Sequence, residues 1–197
     1  NPGSLMRKDK KKQTAVLIHG KNEYLRESAF LFSSPVLDIL ASVIDDDDWR
    51  EEELAKLRPD YVFNFLGSRV LKGPLLEYKA VNFHPAPPEW PGRGGASLAL
   101  YHGEKSYGAT AHGMVLEVDS GPILAVRRFE IAPDESCESL FRRGELACLH
   151  LFYEILTTIG THGDLPKPCG ESWKRRAMKR AEFEEWLTAN PDEKENF

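Results

Sequence analysis

A chain of 197 residues, 41% hydrophobic and 29% charged, is long enough for one compact globular domain and short for two. Its formal net charge of -5 excludes the broad basic surface that a phosphate backbone demands, so no nucleic-acid partner is expected. No apolar run approaches the roughly 18 residues of a bilayer span and no secretory leader opens the chain, which points to a cytoplasmic protein without a membrane partner. Cys137, Cys148 and Cys169 are an odd set without C-x-x-C spacing. Such a set suits inert reduced thiols, and neither a disulfide framework nor a metal site is expected.

NPGSL reads as a cloning remnant ahead of Met6, and the lysines after it as a solvated tail, so residues 1–13 are set apart from the fold. TAVLIH, residues 14–19, is a short apolar run released at Gly20, the pattern of a first strand buried in a parallel sheet. Ser34 and Pro35 make an N-cap and first-turn pair, so a helix is expected to begin there. VLDILASVI would pack on the sheet, its end open between helix and strand. DDDDW, residues 45–49, lacks the alternating oxygen ligands, turn glycine and closing glutamate of a calcium loop. A solvated loop leading into a helix N-terminus is expected instead.

REEELAKLR then predicts an amphipathic helix stopped by Pro59, and DYVFNFLG a strand. GPLLEYK predicts a short helix begun at Pro74, and AVNFH a strand closed by Pro85. ASLALYHG reads as a helix, residues 110–118 as a strand, DSG as a turn and PILAVRRFEI as the returning strand. From Ser136 to Ile159 the apolar residues recur at helical spacing, with Gly160 as the stop. The basic tail that follows is expected to end in a further helix. Strands alternating with helices imply an α/β fold in three layers, its sheet mostly parallel with an antiparallel, hairpin-like extension. Ligands of such sheets sit beyond the carboxyl ends of the strands.

Asn82 and His84 fall at such an end. Alternate strand residues share a face, so both project to one side while Phe83 turns into the core. Pro85 stops the strand and leaves His84 at its rim. An ordinary histidine bonded to a loop carbonyl, with Asn82 a turn former, is the competing reading of these two residues alone. Asp119, at a turn kept open by Ser120 and Gly121, supplies a carboxylate that could orient His84. An amide, an imidazolium and a carboxylate together suit acyl transfer to an amine: two donors for a developing oxyanion, and one group that favours the charged imidazole. No G-x-S-x-G elbow is present, and no nucleophile is needed if the amine attacks directly.

VNFHPAPPEWPGRGG, YHGEKSYGATAHGM and EVDSGPIL resemble, in order and spacing, the motifs of the folate-dependent formyltransferases. That family includes glycinamide ribonucleotide, methionyl-tRNA and sugar N-formyltransferases. The similarity spans about residues 49–160, because DYVFNFLGSRVLKGPLLE resembles the family's strand and loop before the N-x-H strand. The resemblance implies a Rossmann-like catalytic domain over residues 14–165, with a shortened amino-terminal half, and a helix-bearing tail over residues 166–197. It implies Asn82, His84 and Asp119 as the catalytic three and 10-formyltetrahydrofolate as formyl donor and co-substrate. Phe65, Leu66, Gly67, Val70 and Leu71 resemble the loop whose backbone receives the pterin, together with the turn from Val118 to Gly121. His112 is similar to a further family histidine near the site, with a satisfied core histidine as its other reading.

The family commonly has S-L-L-P after N-x-H-P, where this chain has Ala86, Pro87, Pro88 and Glu89. Residues between Gly20 and Asp60 leave room for less than the customary strand and helix set. Arg93 in PGRGG offers either a contact to an anionic acceptor or a solvated loop side chain. The expected partner is a small-molecule amine. Methionyl-tRNA is disfavoured by the acidic chain and its early end, and the WKRR segment resembles tails of the sugar branch, so an amino sugar, free or nucleotide-linked, is preferred. A formyltetrahydrofolate hydrolase and a degenerate folate-binding or partner-binding module are the alternatives, and self-association into a homodimer is left open.

Overall fold

The computed structural model describes residues 11–191, so the supposed remnant and most of the lysine tail, residues 1–10, lie outside the described residues. Six strands, β1 (Thr14–His19), β2 (Asp38–Ile44), β3 (Tyr61–Phe65), β4 (Lys79–His84), β5 (Ser106–Gly113) and β6 (Ile123–Glu130), form one sheet in the order β2-β1-β3-β4-β5-β6. The first four run parallel; β5 is antiparallel to β4, and β6 to β5. The mostly parallel α/β sheet with its antiparallel extension is therefore the architecture observed. Strands β1 and β3 are apolar at nearly every position because both their faces are covered, whereas β2, at the edge, alternates in exposure.

Between β1 and β2 runs α1 (Glu23–Ser33), capped by the Asn22 side chain, which accepts from the Leu25 N–H at 3.2 Å. Its buried face is Leu25, Ala29 and Ser33, at four-residue spacing. Ser34 is therefore the C-cap of this helix, and the helix expected to start at Ser34 and Pro35 is absent. The same pair serves either end, since proline also follows helices that cannot continue. The segment after it is β2, which settles the open choice in favour of strand. Residues between Gly20 and Asp60 thus hold α1, β2 and the five-residue α2 (Glu51–Ala55).

A 3-10 turn, Pro74–Glu77, leads into β4, and α3 (Gly95–Tyr101) precedes β5. Strand β5 covers Ser106–Gly113 rather than residues 110–118; Met114 to Val118 form a loop after the strand. The long α4 (Cys137–His162) starts at a capping box between Ser136 and Ser139, and ends at Gly163, whose φ of 79° suits glycine. Gly160, expected to stop it, lies inside, where Val36 packs close to its Cα. Last comes α5 (Arg180–Ala189).

Helices α1 and α4 cover one face of the sheet, where Leu17, Phe63, Phe65, Val81 and Phe83 pack with Ala147, Leu151, Phe152 and Ile155. Trp49, Leu54, Leu71 and Leu75 cover Val16, Ile18, Val62 and Ala80 on the other. A third cluster joins Trp90 of the proline-rich loop, α3, Tyr107 and Leu140 to Phe183 and Trp186 of α5. Each fully buried large side chain contributes about 1.5–3 kcal/mol. The Phe152 ring lies 5.1 Å from both Phe65 and Phe83, centroid to centroid, so β3 and β4 are pinned to α4 from one side.

Candidate active site

Because Phe83 is anchored against Phe152, its neighbours Asn82 and His84 must face the opposite side of β4. Register then assembles the rest. Asn64 on β3 pairs with Asn82, and Asn82 pairs with His112 on β5, so three polar residues form a row across the sheet. Asn64 Nδ2 donates to Asn82 Oδ1 at 2.9 Å. That bond orients the Asn82 amide, leaving Asn82 Nδ2 at 3.1 Å from His112 Nε2 and 3.4 Å from Asp119 Oδ1. Asn64 was not singled out in the sequence; its only signal there is one amide inside an otherwise apolar strand.

Asp119 arrives from the loop after β5. Its φ of 45° is left-handed, a region that aspartate tolerates better than most residues. Gly121 is required beside it, since a Cβ there would stand 1.9 Å from the Gly113 carbonyl oxygen. The carboxylate divides between two rings: Oδ1 lies 3.1 Å from His112 Nε2, and Oδ2 lies 3.3 Å from His84 Nδ1. Oδ2 also accepts the Gly92 N–H at 2.8 Å. All three side chains are buried. Burial alone would raise the Asp119 pKa, but the charge of His84, the hydrogen bond and charge of His112 and the Gly92 N–H together outweigh it. The carboxyl group is held well below the usual carboxylate range.

The carbonyls around the rings place their protons. Trp90 O lies 3.0 Å from His84 Nε2 and Gly113 O 2.9 Å from His112 Nδ1; a carbonyl only accepts, so both nitrogens carry hydrogen. His112 Nε2 stands between the Asn82 amide nitrogen at 3.1 Å, from which it accepts when bare, and Asp119 Oδ1 at 3.1 Å, to which it donates when it carries hydrogen. His84 Nδ1 faces the Asp119 carboxylate at 3.3 Å, so each nitrogen of this ring looks onto an oxygen acceptor. Among the described residues, no group of three or more His, Cys, Asp and Glu is arranged to hold a metal ion, and no helix is long and apolar enough to cross a membrane.

Asn82, His84, His112 and Asp119 border a cavity of about 1390 Å³. Leu66, Gly67, Val70, Leu71 and Val118 line one part of it, and Arg93 borders it as well. Phe65 and Gly121 do not: the Phe65 ring lies in the core on the other face, and Gly121 is packed against Gly113. The 66–71 loop is held by a residue misjudged from sequence. Asp45, expected in a solvated loop, is buried and accepts from Ser68 N (2.8 Å), Ser68 Oγ (2.6 Å) and Arg69 N (2.9 Å). Trp173 of the tail was also missed; its indole N–H donates to Gly121 O at 2.8 Å.

A buried carboxylate between two imidazoles, beside an oriented amide and at the carboxyl ends of a mostly parallel sheet, is a candidate acid–base site on an α/β fold. The formyl transferase family model matches residues 6–155, and the chain belongs to that family. Solved structures agree in fold. Glycinamide ribonucleotide transformylase 1 of Symbiobacterium toebii is 19% identical with a TM-score of 0.67, over 76% of this chain and 88% of that one. A 4-N formyltransferase of Francisella tularensis is 14% identical with a TM-score of 0.71, over 87% and 78% respectively. An N-formyltransferase of Helicobacter canadensis, solved with folinic acid and dTDP-3-aminofucose, is 18% identical with a TM-score of 0.67, over 85% and 71%.

Proposed function

We propose that the protein is an N-formyltransferase, moving a formyl group from 10-formyltetrahydrofolate to the primary amine of an amino sugar, free or nucleotide-linked. The carrying observation is Asp119 bridging His84 and His112 beside the Asn82 amide on the wall of one large cavity. Family membership supports the reaction. The folinic acid and aminosugar nucleotide bound by the Helicobacter canadensis neighbour support the choice of substrates.

In this reading the amine forms a bond to the formyl carbon, and the carbonyl electron pair moves to oxygen. Asn82 Nδ2 and the His84 imidazolium donate to that oxyanion. Both are engaged in the free protein, so a donor must be exchanged. Asn82 has the easier exchange, since its contact to Asp119 is the longest of the cluster at 3.4 Å; His84 Nε2 would leave the Trp90 carbonyl. Collapse then breaks the bond from the formyl carbon to the folate N10. N10 gains a proton as the attacking nitrogen loses one, with His84 and Asp119 relaying it. Leu66, Gly67, Val70, Leu71 and Val118 would receive the pterin, with Phe65 and Gly121 limited to backbone support. Arg93, Lys179 and Arg180 border the same cavity and suit the phosphates of a nucleotide-linked acceptor.

The test supplies 10-formyltetrahydrofolate with free and nucleotide-linked amino sugars and follows tetrahydrofolate. Amine-dependent release, reduced about 100- to 1,000-fold by His84→Ala in a folded protein, is expected. Release without amine would make the protein a hydrolase. Folate binding without turnover across the panel would leave a binding module.

A further inference from the structure

After α4 the chain returns across the mouth of the sheet as an extended strap. Cys169 N donates to Ile123 O at 2.9 Å, Lys174 N to Pro88 O at 3.0 Å, Met178 N to Pro91 O at 3.0 Å, and Arg93 N to Met178 O at 3.0 Å. Side chains fasten it further. Arg128 binds both Glu171 oxygens, at 2.6 and 2.8 Å, and the Arg175 guanidinium lies 4.0 Å from the centre of the Trp90 ring. Trp173 sits in the middle of this strap and is held from both directions.

We infer that Trp173 is a positioning residue of the reaction centre, fixing at once the turn that carries Asp119 and the rings of His84 and His112. Its N–H reaches Gly121 O at 2.8 Å. Gly121 is two residues beyond Asp119 and presses on Gly113, whose carbonyl in turn receives His112 Nδ1–H. The indole meets His112 edge to face, centroids 5.0 Å apart at 86°, and His84 at 6.2 Å and 63°. One side chain thus touches both rings and the turn that bears their shared carboxylate.

Trp173 itself does not border the cavity, so it acts through these residues and not on substrate. The Gly121 bond holds the left-handed conformation of Asp119 in place, and the ring contact opposes rotation of the His112 imidazole away from Asp119 Oδ1. A tryptophan that merely covered the sheet would change stability and leave the ring nitrogens of both histidines as they are.

The experiment compares wild type with Trp173→Phe, which keeps an aromatic edge without the N–H, and Trp173→Ala. It records imidazole nitrogen spectra of the folded proteins, thermal unfolding and, where wild type turns over, kinetics. The His84 and His112 nitrogen resonances are expected to move in both variants, while those of His19, on the other face of the sheet, stay. Turnover should fall by up to about 100-fold in Trp173→Ala and less in Trp173→Phe, with the donor KM unchanged. Unmoved His84 and His112 resonances in a folded variant would overturn the inference, as would a donor KM that rises while kcat holds. If Trp173→Ala does not fold, Trp173→Phe decides by the same criteria. The kinetic arm rests on the proposed formyl transfer; the spectral arm does not. Moved resonances in a protein inert toward every amine would therefore overturn that reading and leave this one standing.

Discussion

Asp119 is the residue where charge and backbone conformation meet. Asparagine also accepts a left-handed φ, so Asp119→Asn removes the charge with little change in backbone cost. Formyl transfer by that variant is expected to fall about 100- to 10,000-fold. Stability follows the depressed pKa: the unfolded chain takes up the proton first, so the contribution is complete above the unfolded value of about 3.9 and is lost as pH falls below it. Thermal unfolding followed down in pH should therefore show a shallower acid loss in Asp119→Asn. His19 gives a second window. It is fully buried against Ser42, and burial first, then Arg26, lowers its pKa to about 4. The unfolded chain binds that proton from about pH 6.5 downward, so about 3 kcal/mol present at neutral pH should be lost by pH 4. His19→Gln should flatten this limb in denaturant titrations. Asn82 and His84 were legible in the sequence because two polar residues, two apart, interrupt an apolar strand. Trp173 was not, because its contacts are made entirely by a distant return of the chain.

Among the elements, β1, β3, β4, β6 and the hairpin direction were legible because their apolar runs are bounded by glycine, proline or a turn. Two of the misplaced boundaries, those of α1 and α4, share one cause: local signals that serve two ends equally. Ser34 and Pro35 can open a helix or follow one, and Leu25, Ala29 and Ser33 show which, through burial the sequence does not print. Gly160 and Gly163 are both able to end α4, and only the second adopts a positive φ. The loop after β3 illustrates a related limit. Its hold on Asp45 spans 23 and 24 residues of chain, beyond any local pattern. Asp45→Ala leaves two backbone N–H groups without their acceptor, and each such loss costs about 1–3 kcal/mol when buried. The donor KM is expected to rise in this variant with kcat less affected, because the loop borders the cavity without touching the reacting carbon.

Across the whole molecule, protection is graded from the middle of the sheet outward. Strands β1, β3, β4 and β5 have neighbours on both sides, β2 and β6 are edges, and α5 has no buried residue. Hydrogen exchange should therefore be slowest in the central strands and fastest in α5, and uniform protection would contradict this gradient. The pairing of β4 with β5 has a kinetic consequence. It joins a half built from neighbouring β-α units to a half that reaches Asn82 only after a long excursion of chain, and distant pairings form slowly because loop closure precedes their reward. In a refolding experiment the helical circular dichroism of α1 and α4 should recover ahead of catalysis, leaving for an interval a population that looks native to the spectrometer and is idle toward its substrates.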